Sequence, residues 1–331
     1  MESNADMSLV KLVNYRRVWD YVHSHGEETI PQISKATGLS LPTVTRAIEY
    51  SLAEGIMHSV GIVGGERGRK AQLYSLAPDY MHFVFVSIHS NKLHFEIHDF
   101  LSRVMQKGTV IVDDKTVLST LCALAEEATK KDPLIKFLGI AFSGVVFEGR
   151  IVESFDFPSL AGFPLEEFLE NEYSIMVAIE NDLHAAVACF SKYAPEYKAG
   201  ITVAFYFGNE GYGSGILIDG KLLHGVCGSA GELHNVVTTN KDERSSLTYA
   251  EALRSLVTIL NPDRVVLYPN GNTDFEEVRK LALIGVPEYQ VPLFIGGRDF
   301  TTDTFIGLVA LCKEMLIEPY AKVRVLKLAI K

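Results

Sequence analysis

The chain is short of cysteine and long apolar runs, and each shortage removes a class of protein. Its four cysteines, Cys122, Cys189, Cys227 and Cys312, are scattered through 331 residues with no CxxC pair. Thiolates so placed build neither a disulfide framework nor a cysteine-rich zinc site, and they suit a reducing, cytoplasmic setting. No stretch reaches the roughly 18 apolar residues of a membrane span. The opening "MESNADMSLVKLV" carries acids where a signal peptide needs an unbroken apolar core. A cytoplasmic protein with no membrane partner is expected. With 47% hydrophobic residues there is material for sizeable cores, and the length implies roughly two or three compact units.

An excess of positive charge is also missing. The net charge of −10 argues against nucleic acid as a partner of the whole surface, but its distribution is uneven. The first 78 residues hold eight Lys and Arg against eight Asp and Glu, so the entire excess of acid lies beyond them. If DNA is bound, the front segment binds it and the acidic bulk faces away.

That front segment is organised like a DNA reader. Leu12, Tyr15, Trp19 and Val22 recur at helical spacing over residues 9–24. In "TIPQISKATG", Thr29 and Gln32 have capping-box spacing, Pro31 sits in the first turn and Gly38 ends the helix. Ser40 can then cap a third helix with Val44, Ala47, Ile48 and Leu52 as its buried stripe. Thr43, Thr45 and Arg46 fall on the opposite face, where hydroxyls and a guanidinium suit base edges and phosphates. Two strand-like runs follow, joined by "GGERGRK", so that Arg67, Arg69 and Lys70 sit at the tip of a wing. The DNA-binding set is therefore Ser40, Thr43, Thr45, Arg46, Arg67, Arg69 and Lys70. A three-helix protein-interaction module with a charged hairpin is the alternative.

Beyond "APDY" the chain passes twice through a similar order of strands and helices, which predicts a duplicated two-lobed α/β body with a cleft between the lobes. The expected units are residues 1–77 as a winged helix-turn-helix, 78–195 as a first lobe with a C-terminal helix from about 303 to 331 packed back on it, and 196–302 as a second lobe. The stretch "GNEGYGSGILIDGKLLHG" puts glycine at 211, 213 and 215, a comb that resembles a phosphate cradle.

The combination resembles the ROK family of repressors and sugar kinases. "TGLSLPTVTRAI" with "GERGRK" is similar to its DNA-binding front, and "FPSLAGFPLEEFLE" to its sugar-facing loop. "IENDLHAAVA", "GYGSGILIDGKLLHG" and "GSAGELHN" follow in the family's order and spacing. The resemblance implies an actin/hexokinase-like (ribonuclease H-like) body behind a winged helix-turn-helix. It implies sugar contacts from Ser143, Gly144, Pro158, Ser159, Asn181, Asp182, Glu232 and His234, with Asp182 as the base if the chain is a kinase.

Several positions depart from the family pattern, and most departures face the nucleotide. Ser87 stands where the first phosphate loop has an acid, and His89 stands where it has glycine, so an imidazole would crowd the phosphate. Glu210 places a carboxylate in the glycine comb, where it would repel a triphosphate. Tyr268 and Pro269 replace small residues late in the chain. On the sugar side, "ELHN" puts His234 one position early and Asn235 where the family has its zinc-binding histidine. His234 then either reaches the ligand through a shifted backbone or is a surface histidine. Leu183 and His184 replace a small residue and an asparagine. The stretch after "ELHN" has no cysteine, so no metal is expected there, and no cofactor.

These readings lead to one expectation: a regulator, more often a repressor, that binds operator DNA as a homodimer or dimer of dimers. It would sense a sugar or sugar derivative in the interlobe cleft without kinase activity. An active sugar kinase with a fused DNA-binding head is the alternative, and a ligand-independent repressor or scaffold the third.

Overall fold

The chain opens with helix α1 (Leu9–His25), and capping chemistry then sets α2 (Ile30–Thr37) and α3 (Leu41–Ala53). In the computed structural model of the protein, residues 9–64, 70–193, 199–208, 211–235, 245–271 and 273–317 are described. Arg67, Arg69 and Glu210 lie outside them. The Thr29 side chain accepts the Gln32 backbone N–H, and the Gln32 side chain returns to the Thr29 backbone. Gly38 closes α2 in the left-handed region, and Ser40 caps α3 by accepting the Thr43 N–H. Strands β1 (Glu28–Thr29), β2 (Met57–Val63) and β3 (Ala71–Leu76) form an antiparallel sheet in the order β1-β3-β2. This arrangement is consistent with a winged helix-turn-helix.

The core of this head departs from expectation at one position. Val44, Ala47 and Ile48 are buried with Val18, Val22 and Ile33, but Leu52 is exposed and Ser51 is buried in its place. The serine is accepted because its hydroxyl is fully used: it donates to the Ala47 carbonyl and receives the Trp19 indole N–H at 2.8 Å.

The first lobe is built from β4 (His82–His89), β5 (Lys92–His98), β6 (Val104–Ile111), α4 (Val117–Lys131) and β7 (Ile135–Phe142). A hairpin of β8 (Val145–Phe147) and β9 (Arg150–Glu153) follows, then α5 (Leu165–Tyr173), β10 (Met176–Asn181) and α6 (Asp182–Tyr193). The second lobe contains β11 (Ile201–Gly208), β12 (Gly211–Ile218), β13 (Lys221–Leu222), α7 (Ser246–Leu260), β14 (Arg264–Asn270), α8 (Phe275–Ala282) and β15 (Leu293–Gly296). The final helix is α9 (Phe300–Ile317).

The two central sheets have the same wiring. In the first the order is β6-β5-β4-β7-β10, and in the second β13-β12-β11-β14-β15. Each begins with three antiparallel strands and then adds two parallel strands on the other side of the first. The body is a duplicated α/β unit. Parallel strands β4, β7 and β10 end on the same side, which brings His89, Ser143 and Asn181 toward one crevice.

Helix α9 ties the parts together. Phe305, Leu308, Val309 and Cys312 pack with Phe83, Phe85 and Phe137 of the first sheet and with Ala185 of α6. At Gly307 a Cβ would fall 1.7 Å from the Ala185 carbonyl oxygen, so only glycine permits this helix crossing. Towards its C-terminal end Lys313 bonds His23 of the head at 3.1 Å and also the Ser102 hydroxyl. Phe100 sits between, its ring 5.0 Å from Tyr80 and 6.2 Å from Phe83, in contact with both the head core and the body core. Among the described residues no helix is long and apolar enough to cross a membrane.

Candidate effector site

Asp182 opens α6 directly after β10, a placement that puts a carboxylate at a helix N-terminus in the crevice. It is buried, and both of its oxygens are engaged. Oδ1 accepts the Leu183 N–H at 2.8 Å, and Oδ2 lies 2.7 Å from Nδ1 of His89. Nε2 of His89 lies 3.0 Å from the Tyr206 hydroxyl, which also receives the Asn270 amide. The polarity of this chain is internally consistent. Asn270 donates to Tyr206, Tyr206 to Nε2 of a neutral His89, and Nδ1–H of His89 to Asp182. His89 belongs to β4 and Tyr206 to β11, so the imidazole bridges the lobes.

Around this bridge the aromatic rings form a wall. Phe300 lies 5.0 Å from His89, 4.9 Å from Tyr206 and 5.4 Å from Tyr268. Tyr268 is buried, and its hydroxyl donates to Asp303 at 2.8 Å, while Arg298 pairs with the other oxygen of Asp303 at 3.0 Å. Burial and the neighbouring Asp303 carboxylate push the Cys189 thiol up to about 12 and the Tyr268 phenol higher still. Asp303 itself is fully buried and anchors the start of α9.

On the far side of this wall is a cavity of about 1020 Å³ between β14, α8 and β15, lined among others by His89, Lys92, Tyr206, Arg279 and Arg298. The imidazole of His89, expected from the sequence to crowd the phosphate path, stands in the wall of this cavity. The imidazole takes the carboxylate of Asp182 as its partner, and open space remains beyond it. Ser87 is buried within β4 and paired in register with His94 and Ala141.

The expected sugar contacts lie in two groups. In the first lobe the Asn181 side chain donates to the Gly144 carbonyl at 2.8 Å and accepts the His184 N–H at 2.9 Å. The Ser143 hydroxyl donates to Asp156 at 2.8 Å, and the same carboxylate oxygen receives the Ser90 N–H. Pro158 and Ser159 are exposed, and Ser159 is held by Asp114 through its N–H and its hydroxyl. In the second lobe Glu232 pairs with His234 at 3.3 Å, and the His234 ring stands edge-on to Phe155 of the first lobe at 4.8 Å. Among the described residues no hydrogen bond joins Glu232 to Asp182, and the contact between the two lobes here is that of His234 with Phe155.

Two glycines of the comb, Gly213 and Gly215, have a packing explanation, whereas a Cβ at Gly211 would meet nothing. At Gly215 a Cβ would lie 2.3 Å from the Leu183 carbonyl oxygen, and at Gly213 one would lie 2.9 Å from the Leu183 side chain. Strand β12 thus runs directly against the first turn of α6, and the missing side chains set how closely the lobes approach at Asp182.

Sequence reasoning overlooked Asp156, Asp114, Tyr206, Phe300 and a cluster of Glu180, His184 and His224. Burial alone would raise the Glu180 carboxyl, but hydrogen bonds from His184 and His224, both at 2.9 Å, outweigh it and hold the group at about 2. The Glu180 bond in turn raises His224. His184 was visible as a departure from the family pattern. His224 carried no signal, because only the fold brings the β13 loop to β10.

Comparison with known proteins agrees with this architecture. Residues 109–245 match the family model described as ROK family. The xylose repressor of Caldicellulosiruptor bescii is 24% identical over 248 residues, which is 71% of this chain and 61% of that protein. The chain thus spans about three fifths of the length of that relative. The N-acetylmannosamine kinase of Vibrio cholerae is 33% identical over 132 residues, 39% of this chain and 44% of the kinase. Among solved structures, a ROK family transcriptional regulator described as a homologue of the E. coli MLC protein superposes with a TM-score of 0.71 at 16% identity. That match covers 97% of this chain and all of the other, and it shows that the fold is shared.

Proposed function

We propose that this chain, whose residues 109–245 match the ROK family model, is a sugar-responsive transcriptional regulator, a repressor that does not phosphorylate its effector. The observation that carries this reading is a single one. A three-helix head with a small sheet is packed through Phe100 and α9 onto a body whose would-be base, Asp182, is held by His89.

In this reading α3 presents Ser40, Thr43, Thr45 and Arg46 to operator DNA, with Lys70 and the wing alongside. Arg46 is exposed, as the role requires. The sugar occupies the crevice between Asn181 and Asp182 on one side and Glu232 and His234 on the other. A ligand that favours one lobe spacing moves α9, and with it the head that Lys313 and Phe100 hold. Coupling of about 1–3 kcal/mol between the two sites is enough to change operator occupancy 5–150-fold. A neutral head gains little from electrostatics alone, so two copies on paired half-sites supply the affinity.

The test is operator binding by fluorescence anisotropy, on DNA selected by the protein itself, with and without sugars. The names of its relatives make xylose and N-acetylmannosamine the first two to try. A sugar that binds and alters DNA affinity supports the proposal, and sugar-independent DNA binding contradicts it. A second reading, a kinase with a DNA-binding head, draws on the cavity behind His89. It requires His89 and Phe300 to swing away together so that a phosphate could reach the hydroxyl beside Asp182.

A further inference from the structure

Three metal-ligating side chains from both lobes converge beside the crevice. Glu180 is the penultimate residue of β10, His184 lies four residues on in the first turn of α6, and His224 follows β13 in the second lobe. Nδ1 of His184 is 2.9 Å from one Glu180 oxygen, and Nε2 of His224 is 2.9 Å from the other. All three ligand atoms lie within 4.8 Å of one another. The imidazole planes are nearly perpendicular, at 86°, so the two nitrogens approach the carboxylate from different directions.

We propose that Glu180, His184 and His224 form a divalent transition-metal site that pins the β13 loop of the second lobe to the β10–α6 junction of the first.

The donor set and spacing support a metal as well as a hydrogen-bonded triad. Bonds of about 2.0–2.1 Å to imidazole nitrogen and carboxylate oxygen place neighbouring tetrahedral ligands roughly 3.4 Å apart. The 2.9 Å separations from Glu180 need little adjustment to meet that. Two nitrogens and one carboxylate favour zinc, cobalt or nickel over magnesium or calcium, which take oxygen ligands. The site is closed on one side and open on the other: the His184 side chain is 2% exposed and that of His224 is 44% exposed. The exposed partner, His224, is thus at the surface, where an ion enters and a water completes the fourth position. This is a different place from the cysteine loop after "ELHN" that the family resemblance implies, and its ligands differ from that loop's thiolates.

The position gives the ion a structural consequence. Asn181 and Asp182 lie between Glu180 and His184 in sequence, and the His184 N–H already bonds the Asn181 side chain. An ion bound by three ligands therefore fixes the segment that carries Asn181 and Asp182 and closes the second lobe upon it. The inference stands whether or not the effector is a sugar, because it concerns the ion alone.

The experiment uses the full chain, freed of any affinity tag and stripped with a chelator. Zinc chloride is titrated by calorimetry, and cobalt(II) is added as a spectroscopic probe of ligand number. The expected result is saturation at one zinc per chain, visible cobalt d–d bands of a four-coordinate site, and a higher melting temperature with zinc. His224→Ala removes an exposed ligand and leaves the fold in place; it should weaken zinc binding by at least about tenfold and abolish the cobalt bands. Glu180→Gln should do the same through a different element. Absence of saturable zinc binding up to millimolar metal overturns the proposal, as does wild-type zinc affinity in both variants.

Discussion

Nδ1 of His89 lies 2.7 Å from Oδ2 of Asp182, across 93 residues of sequence, and the same ring meets the Tyr206 hydroxyl of the opposite lobe at 3.0 Å. One imidazole therefore does two things. It occupies the carboxylate of Asp182, to which the family resemblance gives the part of a base in a kinase, and it links the two lobes. Replacing it with alanine should lower the stability of the body by about 2 kcal/mol, the scale for a hydrogen bond to a charged group that is lost in a partly buried network. Urea denaturation of His89→Ala beside His89→Gln measures this, and the glutamine variant should recover part of the loss. An unchanged midpoint in the alanine variant would show that the bridge carries no load.

The crossing of α6 and α9 gives a sharper test. A methyl at Gly307 would collide with the Ala185 backbone, and neither helix can yield without disturbing Asp303 at the head of α9. Gly307→Ala should cost about 3 kcal/mol, read as a fall in melting temperature. A variant as stable as the parent would mean that the helices are farther apart than described here.

How much of this was legible beforehand depended on where each element hides its side chains. The head was readable almost residue by residue, since Thr29, Gln32, Gly38 and Ser40 act locally and need no distant partner. Leu52 and Ser51 were exchanged because the partner that satisfies Ser51, Trp19, comes from another helix. Strand β6 escaped notice because it is an exposed edge: Val104, Met105, Val110 and Ile111 all face solvent, and no burial pattern marks it. At the candidate site, Asn181, Asp182 and Glu232 were singled out through resemblance alone. The partnership of His89 with Asp182 could not be, because it depends on the lobes meeting.

Operator recognition should depend on Arg46. It is exposed on α3 and lies nearly two turns from the Ser40 cap. Arg46→Ala should reduce specific DNA affinity by about 1–3 kcal/mol while circular dichroism and sugar binding stay unchanged. Wild-type affinity in this variant would move the DNA-reading face elsewhere.

Communication between crevice and head should pass through Phe100, whose ring touches Tyr80 and Phe83. Phe100→Ala is expected to leave sugar binding and DNA binding each measurable, but to bring the effect of one on the other close to nil. Retention of full coupling would point to a route that bypasses this contact.

The most direct measurement follows phosphate transfer. The chain is incubated with magnesium and γ-labelled ATP over a panel that includes xylose, glucose and N-acetylmannosamine, and sugar binding is read in parallel by thermal shift. The account predicts that at least one sugar raises the melting temperature while no labelled sugar phosphate forms. Labelled product that disappears in Asp182→Asn would contradict it, and would mean that His89 releases the carboxylate to work as a base.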